Sequence, residues 1–354
     1  MFSFSHLSIP VIQAPMAGGV NTPSLVAAVS NAGGLGSFGF AYTTPEKIYA
    51  DLKATGDLIN QAPRKRINAN FFVFEEPIMP NLEMQRAALH DLQSVIGDWG
   101  IQTSLPSSPY IPNLEEMLEP IWEHQPEVLT FHFGIPPEQV IEKAHTLNIS
   151  VGITATSLEE ALKIQSAGAD FIVAQGIEAG GHRGIFNSDG TDLQLSTMDL
   201  LRALNGRVRI PVIAAGGIMD GQDIHQMISL GASAVQMGTA FLTALESGAS
   251  SAHRRFVMEH HHLGTHFTRA FSGRSAQGIH NEFMKVMEGK TYLPFPAQNT
   301  MTAPMRQWAL EKDEGHYQSL WAGRSYAEAR ALSAHDLMII LQHVFNGRRY
   351  CICF

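Results

Sequence analysis

Pro211-Val-Ile-Ala-Ala-Gly-Gly-Ile218, then Asp220–Leu230, then Ala234-Val-Gln-Met-Gly-Thr-Ala-Phe241 is the stretch that decides the fold. Two short apolar runs end in glycine, and the helix-like segment between them stops at Gly231. Neither run alternates apolar with polar residues, which suits strands buried on both faces of a parallel sheet. A strand, a glycine-rich turn, a helix and a second parallel strand make one βαβ unit.

The same unit recurs upstream. Further apolar runs at Pro10–Gly18, Gly34–Ala41, Arg66–Phe74, Val128–Gly134, Ile149–Ala155 and Phe171–Gly180 bring the total to eight. Thr22-Pro23 opens one intervening helix, and Thr156/Ser157 followed by Glu159-Glu160 opens another, with acids at the positive end of the dipole. Eight such repeats predict an α/β protein built as a TIM (β/α)8 barrel rather than an open sheet. Two segments exceed a minimal barrel. Glu75–Pro126 carries prolines and the helical stretch Asn81–Ile96, and reads as an elaborated crossover. Thr243–Trp321 is too long for one closing helix and reads as a mainly helical insertion after strand 8. Tyr326–Phe345 is expected to be the returning last helix. The expected division is therefore a barrel over residues 1–242 and 322–354, with 243–321 as a cap that covers the substrate.

Composition narrows the function. The 354 residues include 24 basic and 33 acidic side chains, a formal charge of −9, which argues against nucleic acid or an anionic membrane as partner. No apolar run is long enough to span a bilayer, and Met1–Pro10 lacks a signal peptide's basic start, so a cytoplasmic location is expected. Cys351 and Cys353 are the sole cysteines, which excludes a disulfide framework and a catalytic thiol in the body of the chain. Cys351-Ile-Cys-Phe354 formally matches a prenylation signal, but Cys353 is a poor aliphatic position and the match reads as chance.

Chemistry in such a barrel sits on the loops at the C-terminal strand ends. Gly216-Gly217 close the seventh run, and Gln236-Met237-Gly238-Thr239 close the eighth. Glycines there let a phosphate approach the main chain, with N–H groups at the following helix start pointing at it. Gly34-Leu-Gly-Ser-Phe-Gly39 matches a dinucleotide pattern, yet its glycines lie inside the run and the helix begins only near Thr44-Pro45. Gln175 offers an amide to a heterocycle's polar edge, Gly180-Gly181 permit close approach, and His182 stands where a neutral imidazole could act as base. His132 faces inward if Phe131 and Phe133 face the helices. Asn70 stands where it could bond a cofactor ring, and Met16 where it could pack on a flat aromatic face. His260-His261-His262 and His266 cluster without a zinc-binding pattern and read as an exposed face, so no metal is expected.

Gln13-Ala-Pro-Met-Ala-Gly-Gly19, Ser30-Asn-Ala-Gly-Gly-Leu-Gly36, Ala174-Gln-Gly-Ile-Glu-Ala-Gly-Gly-His-Arg-Gly184, Ala214-Ala-Gly-Gly-Ile218, Gln236-Met-Gly-Thr239 and Phe271-Ser-Gly-Arg274 together resemble the FMN-dependent nitronate monooxygenases, class I. The resemblance runs from the first strand to Trp321-Ala-Gly323. It implies FMN held without a covalent bond, with its phosphate between the seventh and eighth strand ends. By motif, Asn70, Gln175, Gly180, Gly217 and Gln236, Met237, Gly238 and Thr239 would contact it, His182 would be catalytic and His132 a substrate-pocket residue. The reaction implied is oxidation of alkyl nitronates such as propionate 3-nitronate with O2 to a carbonyl compound and nitrite. The family's insertion often presents tyrosines and a lysine to the substrate; here Tyr292–Met305 holds one tyrosine and no lysine. An FMN-dependent NAD(P)H oxidoreductase, a quinone or enoyl-thioester reductase, stands as the alternative. The partners expected are a small-molecule nitronate and O2, and a homo-oligomer is left open.

Overall fold

A computed structural model of the chain describes residues 2–59, 66–97 and 99–347; Cys351 and Cys353 lie outside them. Strands β1 (Val11–Gln13), β2 (Gly36–Gly39), β3 (Ile67–Phe72), β4 (Val128–His132), β5 (Ser150–Ala155) and β6 (Phe171–Gln175) come from the first six apolar runs. β7 (Gly181–His182) stands apart, and β8 (Val212–Ala215) and β9 (Ala234–Met237) come from the stretch that opened the sequence analysis. The parallel order is β1-β9-β8-β6-β5-β4-β3-β2. The ring closes where Ile12 bridges Leu35, with Gln13 N donating to Leu35 O at 2.9 Å and Leu35 N to Val11 O at 3.0 Å. The protein is a TIM barrel. Every residue of β5 is buried, Ser150 and Thr154 included, as expected of a strand covered on both faces.

Local chemistry sets the helices around it. Thr22 caps Pro23–Asn31, Ser157 caps Leu158–Ser166, and Asp220 caps Gly221–Ser229 through a reciprocal capping box with Asp223. The glycines of the dinucleotide-like pattern serve packing. A Cβ on Gly36 would stand 2.2 Å from Val26 O, so the glycine lets helix Pro23–Asn31 lie against the barrel. The last helix is shorter than the sequence suggests. It spans Ala334–Phe345 because Ser333 caps it, and Tyr326–Glu328 is a separate 3-10 turn.

The segment between β9 and the last helix contains strands β10 (Thr265–Thr268) and β11 (Ala276–Ile279) and helices Ser251–Glu259, Glu282–Val286 and Ala297–Glu311. β11 pairs antiparallel with β10 on one side and with β7 on the other, so the loop bearing His182 is a strand of this second sheet. Ala88, Leu92 and Ile96 of the Leu82–Ile96 helix share one apolar cluster with Phe271, Phe283, Met301 and Met305. Thr103 Oγ1 donates to Met301 O at 2.6 Å, and Trp99 stacks on Trp308 with ring centres 4.6 Å apart. The two segments that exceed a minimal barrel thus build one layer over its C-terminal end. No described helix is long and apolar enough to cross a membrane.

Candidate active site

A cavity of about 540 Å³ lies between the C-terminal strand ends and this covering layer. Met16, Asn70, His132, Gln175, Gly180, Gly181, His182, Gly217, Gln236, Met237, Gly238 and Thr239 all line it. The structure therefore brings together every site residue expected from the sequence. The His260–His262 cluster lies elsewhere, and no group of three potential metal ligands occurs among the described residues.

Hydrogen bonds beneath the cavity fix what each amide can offer. Asn70 Nδ2 donates to Thr130 Oγ1 at 2.9 Å, and that hydroxyl donates to Asn68 Oδ1 at 2.9 Å. Asn70 Oδ1 is left as an acceptor. Gln175 is the complement. Its Oε1 receives Arg183 Nη1 at 3.1 Å and Gly184 N at 2.8 Å, and its Nε2 donates to His182 O at 3.0 Å, leaving one N–H. Arg183 is 1% exposed, and Asp192 meets it through Nε and Nη2 at 2.7 and 3.0 Å, so the group that orients Gln175 is itself paired.

His132 and His182 stand beside Gln175, joined to it through the His182 carbonyl. His132 Nε2 donates to His182 O at 3.2 Å. His182 Nε2 lies 2.8 Å from Ser272 Oγ. Phe72, Phe133, Phe295 and Trp321 surround the His182 ring, with centres 5.5–6.1 Å away. Burial pushes both imidazoles down to about 3, and the charge of Arg274 pushes the same way. Both rings are neutral at physiological pH.

At the ends of β8 and β9 the main chain itself faces the cavity. Gly216 and Gly217 take φ of +121° and +73°, a conformation a side chain would strain. The N–H groups of Gly217 and Gly238 reach no acceptor among the described residues. The helix start after β8 is a different matter. Asp220 accepts from Gln222 N and Asp223 N, and Asp223 from Met219 N and Asp220 N, so that terminus is already capped by carboxylates. Its N–H groups do not serve an anion, contrary to the reading from sequence. Gly180 is constrained by packing: a Cβ there would stand 2.4 Å from Ala322 C.

Several cavity groups carried no local signal. Tyr42 and Thr130 line the wall; Phe271, Arg306 and Trp321 come from the covering layer. Arg274 sits behind His182, its guanidinium 3.8 Å above the Phe133 ring. Ser272 and Arg274 belong to Phe271-Ser-Gly-Arg274, which was visible as a motif but not as a partner of His182.

The nitronate monooxygenase family model matches residues 2–343. A nitronate monooxygenase of Pseudomonas aeruginosa is 39% identical over 344 residues, covering 96% of each chain. One of Paraburkholderia phytofirmans is 38% identical over 349 residues, covering 94% of this chain and 91% of its own. The structure of nitroalkane oxidase from Streptomyces ansochromogenes superposes with a TM-score of 0.90 at 33% identity, covering 97% of both chains. FabK from Thermotoga maritima follows with a TM-score of 0.72 at 25% identity, covering 96% of this chain and 94% of its own. With its full barrel and covering layer matched, this chain belongs to the nitronate monooxygenase family of flavin-dependent oxidoreductases.

Proposed function

We propose that the protein oxidises alkyl nitronates in the cytoplasm, using FMN as its flavin and O2 as co-substrate, and releases a carbonyl compound and nitrite. The observation that carries this reading is the donor set of one cavity. Main-chain N–H groups without acceptors at Gly217 and Gly238 suit a phosphate, while an acceptor at Asn70 and a donor at Gln175 suit the polar edge of a flavin ring. Bound FMN would supply the redox chemistry, taking electrons from the substrate and passing them to oxygen.

The protein's share is placement and proton control. Gly217, Gly238 and Thr239 would hold the phosphate and Met16 the ring, with Gly180, Gly181, Gln236 and Met237 completing the wall of the cavity. His132 holds the His182 carbonyl, and with it the strand that carries the His182 ring. Four aromatic rings border His182 and make its side of the cavity largely apolar. An imidazole held near 3 is a weak base for a carbon-bound proton. The site therefore favours substrate that arrives already deprotonated, a nitronate rather than its neutral nitroalkane.

The test is direct. Flavin released from the purified protein is identified by mass, and oxygen uptake and nitrite are followed with propionate 3-nitronate. Anaerobic NADH is added to a second sample. Rapid flavin bleaching by NADH with no oxygen uptake on the nitronate would replace this reading with the reductase.

A further inference from the structure

Asn68 and Asn70 stand two apart on β3, so both point into the barrel, while Ala69 and Phe71 belong to the apolar cluster shared with the helices. The register sets Ser37 of β2 beside Asn68 and Thr130 of β4 beside Asn70. Asn68 Nδ2 donates to Ser37 Oγ at 3.1 Å, the Thr130 hydroxyl to Asn68 Oδ1 at 2.9 Å, and Asn70 Nδ2 to Thr130 Oγ1 at 2.9 Å. Ser37 is tied to β1 in turn, its N donating to Gln13 Oε1 at 3.0 Å. All five side chains are buried, and of them Asn70 and Thr130 line the cavity.

This chain of bonds has a direction. A hydroxyl carries one hydrogen. Thr130 gives it to Asn68, so toward Asn70 it can only accept. Asn70 must then turn Nδ2 to Thr130 and Oδ1 to the cavity. With the Thr130 hydrogen on the other side, Asn70 would present N–H groups instead. Burial holds the direction, because each broken link leaves a polar group unpaired.

The polar edge of an oxidised flavin ring consists of carbonyl oxygens, bare nitrogens and one N–H, at N3. An acceptor has a single partner on such an edge. We infer that Thr130 is a positioning residue: by directing Asn70 Oδ1 into the cavity it makes the site select the N3–H and so fixes which way the ring lies. This rests on the FMN reading of the cavity and deepens it. Asn70 makes the contact, and Thr130, Asn68 and Ser37 give that contact its sign.

The experiment uses the wild type, Thr130→Val and Thr130→Ser. It reads the dissociation constant of FMN from each apoprotein and, on the flavin-loaded proteins, the absorbance change that marks loss of the N3 proton at alkaline pH. An acceptor at N3–H favours the protonated ring, and a donor favours the deprotonated one. Valine matches threonine in shape and has no hydroxyl. Thr130→Val is expected to bind FMN roughly tenfold more weakly and to lose the N3 proton about one pH unit below the wild type, while Thr130→Ser keeps both values. Tyr42, His132, Glu178, His182, His253 and Arg306 are the ionisable groups on the cavity wall; they are common to all three proteins, so the difference reports the hydroxyl. Lost packing alone would weaken binding without moving the proton. An unchanged N3 titration in Thr130→Val, or a shift to higher pH, would overturn the assignment. Should Thr130→Val not fold, Ser37→Ala decides, since Ser37 does not line the cavity: a smaller shift in the same direction upholds the chain of bonds and no shift overturns it. A wild type that takes up no FMN would sink the proposed function and this inference together. A wild type that binds FMN with an N3 titration indifferent to Thr130 would sink this inference alone.

Discussion

Ser272 Oγ lies 2.8 Å from His182 Nε2 while its own hydrogen is directed at Arg274 O, 3.1 Å away. A carbonyl oxygen can only accept, so the hydroxyl has no proton left for the imidazole. His182 Nε2 therefore carries the proton and donates to Ser272, and Nδ1 stays bare for the cavity. Arg274 N adds a bond to the same hydroxyl at 3.3 Å, which locks its orientation. Ser272 is thus a positioning residue that fixes the tautomer of His182. Ser272→Ala is expected to retain its flavin and lower kcat by about 10- to 100-fold, the scale of a lost hydrogen bond to a group that must be oriented. Ser272→Thr should restore most of it. Unchanged kcat in Ser272→Ala would leave the tautomer without a catalytic role.

His182 itself gives the sharper outcome. His182→Ala or His182→Asn should keep FMN, because the ring's polar edge and phosphate are assigned to Asn70, Gln175 and the β8 and β9 ends. Turnover of nitronate should fall by roughly 10²-fold, through lost placement of the substrate rather than loss of a base. The wild type should turn over neutral nitroalkanes far more slowly than the matching nitronates, since an imidazole near 3 is a poor proton acceptor. Oxygen uptake started with freshly dissolved nitroalkane, against preformed nitronate, measures the ratio. Comparable rates would contradict the weak-base argument.

Acid should unfold this protein early. Burial pushes His132 and His182 down to about 3 and His253 to about 4, all from an ordinary value of 6.5. Between those values and 6.5 the unfolded chain binds protons that the folded chain refuses, so stability is full above about 6.5 and is lost as pH falls. Each histidine contributes up to ~1.4 kcal/mol per pH unit inside that window. Urea midpoints at about pH 7.5, 6 and 5 would show the decline. His253→Gln, which keeps a donor for Trp321 O, should flatten it by roughly a third. A midpoint that does not move between pH 7.5 and 5 would mean the folded protein accommodates the charged rings.

What the sequence made legible follows from where each signal is encoded. Gly216-Gly217, Gln175 and His182 are contiguous with their own strands, so reading eight apolar runs in register placed them at one end of one barrel. Ser157, Thr22 and Asp220 announced helix starts because capping is local chemistry. Ser272 and Arg306 gave no such sign. Ser272 reaches His182, and Arg306 the cavity, because Phe271 and Met305 beside them pack against the distant Leu82–Ile96 helix, a pairing that no local pattern announces. The capped start of helix Gly221–Ser229 shows the converse error, where a local reading lent to phosphate what Asp220 and Asp223 already occupy.

Gly180 separates a packing requirement from a binding one. The Cβ of Gly180→Ala would stand 2.4 Å from Ala322 C and 2.5 Å from Gly323 N, and both are main chain. Nothing flexible can yield there, and Gly323 N is itself tied to Thr239 Oγ1 at 3.0 Å, so the displacement reaches the end of β9. Gly180→Ala is therefore expected to lower the melting temperature by several degrees, as a clash of ~1–3 kcal/mol does in a chain of this size, and to lose flavin in step with that drop. The outcome is opposite in pattern to His182→Ala, which should keep both stability and flavin and lose turnover. A Gly180→Ala protein that melts like the wild type but binds no flavin would show that the glycine is required by the cofactor and not by the Ala322–Gly323 backbone.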